Sequence, residues 1–316
     1  MLELNSNSRE LVIGFVYLGL SASQIPMFCL VIMAVHKIQR QEPNMTYKLI
    51  NLIQCSQVVQ TICHFLTSFL LIFPAFQRFP FIIGVIGATV GLFYSAELPT
   101  MALLAVCRVL IFTGVIKTKK TPLGVKLFLL SLFSVLTLIF LYSSAHSLIF
   151  FSPPSMDYNI SDPFSPILGL FDFYISILSL IIAYISYLAI VYLIYMASLS
   201  ALYPIHLYVL KSKKAVCVKS KREELSILVQ YTIAVGYTTG SLIFWHEASL
   251  DMKNFEVRAA INISWIVGSY VYPVVILICN KTVREKSICI LGLRSEDVRP
   301  FTTNHSSIGA PPSKRH

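Results

Sequence analysis

Charge is what this sequence has least of. Asp, Glu, Lys and Arg make up 13% of its 316 residues, about half the share in a soluble globular domain. Hydrophobic residues reach 56% and mean hydropathy is +0.72, more apolar surface than a water-soluble core requires, so the membrane class is expected. Catalytic signatures are also missing. There is no HExxH, GxSxG, P-loop or dinucleotide fingerprint, and no enzyme is expected. The seven cysteines (29, 55, 63, 107, 217, 279 and 289) form no CxxC and no metal-type Cys/His spacing, so neither a metal nor another cofactor is expected. No convincing internal repeat relates the two halves, which weighs against a transporter built of repeats.

The apolar residues come in seven blocks, roughly 11–36, 47–73, 81–113, 125–151, 169–198, 224–246 and 259–280. Each is long enough to cross a bilayer as a helix of about 20 residues. The first is too long, and its leader too polar, for a cleaved signal peptide. Between Ile167 and Leu210 the only charge is Asp172, and charge balance shows how to read this stretch. With seven spans, 21 lysines and arginines fall on one side and four on the other, which identifies the richer side as cytosolic. A further span would break that pattern, so a single long fifth helix is expected, bent near Pro204. The expected fold is an all-α seven-helix bundle over 11–285, with an extracellular N-terminus (1–10) and a cytosolic tail (286–316).

The +10 net charge then belongs to a basic cytosolic face meeting anionic lipid, not to nucleic-acid binding. No cysteine falls in an outer loop, so no extracellular disulfide is available. Among the sequons only Asn159, in "DYNISDP", lies in an outer loop where glycosylation can occur.

The third span carries two charges, Glu97 and Arg108. Eleven residues separate them, about 16 Å of helix and close to three turns, so both share a face with Tyr94, Met101 and Leu104. With Arg108 at the cytosolic boundary, Glu97 sits near mid-membrane, where a carboxylate is costly and turns toward the bundle interior. A structural reading has Glu97 merely bonding a neighbouring helix and Arg108 snorkelling at a span's end. Pro99 bends the helix, and Gly87 with Gly91 forms a GxxxG step permitting close packing.

Polar stripes mark other spans: Gln54, Gln57, Thr61, His64 and Ser68 in the second, Gln230, Tyr237, Ser241 and Trp245 in the sixth, Asn262, Trp265 and Ser269 in the seventh. Interhelical hydrogen bonds account for such stripes. Their outer members, converging with Tyr94 and Glu97, also suit a small-molecule cavity open to the outside. The candidate ligand pocket is Tyr94, Glu97, His64, Tyr237, Trp245 and Trp265.

Seven spans, with an arginine closing the third, resemble a G-protein-coupled receptor. Four stretches narrow the resemblance to the nematode serpentine chemoreceptors, class T (Srt) first and class X or another related class next. They are "YKLINLIQCSQVVQTICHF", "LLAVCRVLIF", "KREELSILVQ" and "YPVVILICNKTVR", within about 47–285. The third stretch resembles the acidic residue and glutamine at the base of that family's sixth helix, and the last its proline turn followed by Asn-x-Thr-x-Arg. The chain departs at Cys107, where an acidic or amide residue commonly stands, at Tyr272, where many receptors carry asparagine, and at Ile276, where they carry tyrosine.

The resemblance implies a chemosensory receptor at the plasma membrane, sensory cilia included. A ligand it does not name would shift the population of two states. A heterotrimeric G protein would dock at Arg108, Lys117, Lys119, Lys120, Glu224, Asn280 and Arg284, with Arg108 pairing with Glu224 at rest. The competing reading is a transporter or channel using Glu97 and His64 as a polar relay. After the seventh span, Val283, Ile288, Ile290 and Leu291 suit a short amphipathic helix on the inner leaflet, with Cys289 a candidate for palmitoylation. The tail beyond is polar.

Overall fold

The computed structural model describes residues 4–41, 43–117, 119–159, 161–202, 214–248 and 254–293, with side chains described outside 197–225 and 246–248. Seven helices long and apolar enough to cross a membrane run through it: α1 (Ser8–Gln41), α2 (Met45–Ile72), α3 (Pro80–Phe112), α4 (Leu123–His146), α5 (Ser165–Leu202), α6 (Lys214–Ala248) and α7 (Phe255–Cys279). Without water to satisfy backbone groups, a helix that bonds internally is the form these apolar runs can take in lipid. Pro26, Pro99 and Pro273 all lie inside helices. The bend expected near Pro204 falls outside the described residues.

Local chemistry sets the boundaries. Asn44 caps α2 by accepting from the Thr46 amide at 2.9 Å, and Asn254 caps α7 by accepting from the Glu256 amide at 3.0 Å, relieving orphan donors of the first turn. Asn280 leaves the helical region at φ −93°, ψ 97°, ending α7, and accepts from the Val283 amide at 3.2 Å to start α8 (Lys281–Ile290). That short helix packs against α1, with Val283 and Ser287 buried. The outward faces are apolar: Leu138, Ile185, Leu188, Ile243 and Ile278 are all mostly exposed, which suits a hydrocarbon surrounding. α3 is central, packed on α2, α4 and α5, whereas α4 is peripheral and buries only Val125, Leu136 and Ser143.

One span differs from expectation. The fourth apolar block, read to residue 151, is helical only to His146. Ser147 closes the helix in the left-handed region at φ 49°, and Ile149–Ser152 forms β1, antiparallel to β2 at Ser155–Tyr158. Hydropathy cannot separate these states. Pro154 and Pro153 push only the residues immediately before them toward extended backbone, at the Ser152 end of β1, whereas the helix itself ends at the left-handed Ser147.

The hairpin covers one end of the bundle, here called the hairpin end; the other is the α8 end. A Cβ on Gly87 would stand 2.8 Å from Ile149 Cγ2 and 3.2 Å from the Ile149 carbonyl oxygen. The GxxxG step therefore admits a strand, not another helix. Phe151 packs beside Tyr17, Leu71 and Ile266. Arg258, at the start of α7, donates from Nη1 to Ser152 Oγ and Asp157 Oδ2, both at 2.9 Å, and from Nη2 to the Pro153 carbonyl. Burial raises the Asp157 carboxyl above its ordinary range, and the Arg258 charge pulls it back. Tyr158 and Ser95 donate to Asp172 of α5. Asn159 is half-buried beside the hairpin, its amide donating to the Leu148 carbonyl at 2.7 Å. Asn5 ties the N-terminal segment to this end by donating to the Ile72 and Leu71 carbonyls. No disulfide forms among the described cysteines.

Candidate functional site

A cavity opens among α2, α3, α6 and α7, from mid-bundle toward the hairpin end. The space between its atoms is about 620 Å³, part of it open to solvent. Helical spacing explains its lining. Gln57 and Gln60 lie one turn apart on α2, as do Tyr94 and Glu97 on α3. On α6, Tyr237, Thr238, Ser241, Leu242 and Trp245 make one stripe; on α7, Ile261, Ser264, Trp265, Gly268, Ser269 and Tyr272 make the facing one.

Glu97, near the middle of α3, is 7% exposed. Both its oxygens are engaged: Gln57 Nε2 donates to Oε1 at 2.9 Å and Gln60 Nε2 to Oε2 at 2.8 Å. Gln60 is itself oriented by the Trp265 indole, which donates to its Oε1 at 3.1 Å. Three helices thus converge on one carboxyl. The Trp265 ring lies 4.8 Å from that of Tyr94. Tyr237 donates to the Ser264 carbonyl at 2.7 Å and rests on Gly268, where a Cβ would stand 2.7 Å from its ring. The Tyr272 hydroxyl, 3.3 Å from Thr238 Oγ1, closes the floor. Among the described lining side chains Glu97 is the only carboxyl, and none is basic. Among the described residues no cluster suited to a metal ion occurs.

Five of the six residues expected in the pocket, Tyr94, Glu97, Tyr237, Trp245 and Trp265, line this cavity. His64 does not. It lies one turn beyond Gln60, buried, with its ring edge-on to Trp265 at 5.8 Å between centroids, so it supports the cavity wall from behind. The expected stripe of Gln54, Gln57, Thr61, His64 and Ser68 is buried throughout, but only Gln57 of it reaches the cavity. Gln60 was missed although it stands one turn from both Gln57 and His64 and shares their face, a spacing that could have found it. Gly268 and Ser264 carried no sequence signal, because their role depends on Tyr237 of another helix.

At the α8 end, Arg108 lies on the same inward stripe as Glu97, Met101 and Leu104, all buried. The structural alternative, a residue snorkelling at a span's end, does not describe it. Arg108 is 5% exposed and enclosed by Leu104 of its own helix, Tyr187 and Ile190 of α5, and Ile227, Leu228 and Tyr231 of α6, because two helices close over it. Lys117, Lys119 and Lys120 are exposed beyond α3. The side chain of Glu224 lies outside the described residues, and with it the pairing to Arg108. Asn280, buried, serves as the cap of α8, and Arg284 donates to the Leu277 and Ile278 carbonyls at 3.3 and 2.5 Å. Both close the α7–α8 corner.

Among the described residues, seven membrane-length helices surround a polar-floored cavity, with an eighth short helix after them. Among solved structures, the crystal structure of squid rhodopsin superposes with a TM-score of 0.64 over 92% of this chain and 87% of that one, at 14% sequence identity. At such identity the likeness is one of fold. No family model matches the chain, and no curated protein does.

Proposed function

We propose that this chain is a chemosensory G-protein-coupled receptor of the plasma membrane, of the nematode serpentine kind and nearest class T. In this reading the hairpin end and the N-terminus face outward and the α8 end faces the cytosol, which the 21-to-four distribution of basic residues supports. A small molecule binds in the cavity floored by Glu97 and walled by Trp265, Tyr94, Tyr237 and Trp245. It stabilises an arrangement in which α5 and α6 part from α3 at the α8 end, since a ligand without preference between states shifts nothing.

The observation that carries the reading is one stripe of α3 joining two sites. Glu97 floors the cavity, and three turns away Arg108 is sealed beneath α5 and α6. Parting of those helices would present Arg108, with Lys117, Lys119 and Lys120 around it, to a G protein. Glycosylation at Asn159 fits the outward hairpin. The relay reading is less supported: Glu97 bonds to two glutamines and His64 faces Trp265, with no direct contact between the two.

The test is G-protein recruitment in cells expressing the chain, screened against volatile and secreted small molecules. A response abolished by Arg108→Ala at equal surface expression is expected. A response that survives Arg108→Ala, or ligand-driven solute flux in proteoliposomes, would count against the proposal.

A further inference from the structure

We infer that the cavity is built for a small organic cation, a protonated amine attached to a compact apolar or aromatic body. This inference rests on the proposed receptor reading for its site and adds the ligand's chemical class.

Charge comes first. Among the described residues, Glu97 is the one carboxyl in the lining and no lysine, arginine or histidine accompanies it. An anion placed there would meet a carboxyl without a countercharge, whereas a cation would supply one. The hydrogen-bonding balance agrees. Gln57 is 3% exposed, and while its Nε2 donates to Glu97, its Oε1 accepts from nothing. A buried acceptor left unmade is costly, and Gln57 is one of the residues that line the cavity beside the carboxyl. Each Glu97 oxygen has taken one amide N–H, and the Tyr272 hydroxyl also reaches the carboxyl. A carboxylate oxygen accepts more than one bond, so acceptor capacity remains, and an ammonium group brings donors and no acceptor.

The walls complete the case. Trp265, Tyr94, Trp245, Tyr237 and Tyr272 surround the floor with aromatic rings, whose faces attract cations most strongly when water is excluded. A neutral alcohol could donate a single hydrogen bond to the Gln57 oxygen, but it would gain neither the countercharge nor the ring attraction. A carboxylate ligand would gain none of the three.

The experiment uses the full chain in lipid nanodiscs without any G protein. Phenethylamine, tryptamine and hexylamine are titrated at about pH 7, where aliphatic amines near the lysine pKa of about 10.4 are protonated. Each is compared with the alcohol and the carboxylate of the same skeleton, by quenching of tryptophan fluorescence and by thermal shift. At least one amine should bind ten-fold or more tightly than both analogues. Glu97→Gln should reduce that preference below about three-fold, and Gln57→Leu should weaken the amine while sparing the alcohol. If Glu97→Gln does not fold, the wild-type ranking and Gln57→Leu decide. Equal or better binding of an alcohol or carboxylate, no binding of any amine, or a preference untouched by both variants would overturn the inference.

The two proposals fail separately. Amine selectivity without G-protein recruitment would refute the receptor reading alone. Recruitment driven by a neutral ligand, with no amine bound, would refute only the cation.

Discussion

Trp265 of α7 donates its indole N–H to Gln60 Oε1 of α2 at 3.1 Å, and Gln60 passes its own amide to Glu97 of α3 at 2.8 Å. One aromatic residue thus orients the carboxyl that floors the cavity, through an intermediate that neither helix would position alone. Polar links between membrane helices are individually modest, but this one fixes which face of α7 meets α2.

Trp265→Phe keeps the ring against Tyr94 and removes the donor. Gln60 Oε1 is then a buried acceptor without a partner, which costs about 1–3 kcal/mol. A lowered unfolding temperature in detergent micelles is expected, with a ligand response shifted to higher concentration. Unchanged stability and response would show that the indole N–H orients nothing.

Gly268 predicts a sharper contrast. An added Cβ would lie 2.7 Å from the Tyr237 ring, whereas Gly236 and Gly240 of α6 have nothing within 4 Å. Gly268→Ala should displace Tyr237, break its bond to the Ser264 carbonyl, and cost about 1–3 kcal/mol as an overpacked contact. Gly240→Ala should be neutral or stabilise by up to about 1 kcal/mol, the helix penalty of glycine. Thermal unfolding of the pair, side by side, checks both signs.

The hairpin should depend on Gly87 more than on Gly91. A Cβ on Gly87 meets Ile149 Cγ2 at 2.8 Å and the strand's own carbonyl oxygen; on Gly91 it meets only Ile149 Cδ1, at 3.0 Å, the far end of a side chain that can turn. Gly87→Val should therefore expose β1 to hydrogen exchange while Gly91→Ala leaves it protected. Equal protection in both would mean that the hairpin does not rest on α3 in the membrane.

Arg258 holds the hairpin from the other side, and its loss has a pH signature. Arg258→Met leaves Asp157 half-buried with no countercharge, at a cost of about 2 kcal/mol for charge-assisted hydrogen bonds. The Asp157 carboxyl is already raised by burial and partly restored by Arg258, so in the variant it should rise further. A raised acid contributes stability while protonated and loses it as pH climbs through its folded value. Protection of 149–158, taken relative to the intrinsic exchange rate at each pH, should thus be greater in mildly acidic than in neutral buffer for the variant, with a weaker pH dependence in the wild type. The reverse order would exclude Asp157 as the group responsible.

Much of this architecture follows from local sequence alone. Seven apolar runs of membrane length predict seven helices because an unbonded backbone cannot be tolerated in lipid, and periodicity puts Tyr94, Glu97, Met101, Leu104 and Arg108 on one face of α3 regardless of its neighbours. The cost of an intramembrane charge turns that face inward. Tertiary structure decided the rest. Whether Gln60 or His64 reaches Glu97 depends on the rotation of α2 against α3 and α7, and residues one turn apart differ in outcome. Arg108 is enclosed because α5 and α6 close over it, and Ile149 enters a notch in α3 because Gly87 has no Cβ to exclude it. Spacing along a chain carries the information that builds one helix; which side chain meets a partner across the bundle is set by packing between segments far apart in sequence, and no local pattern encodes it.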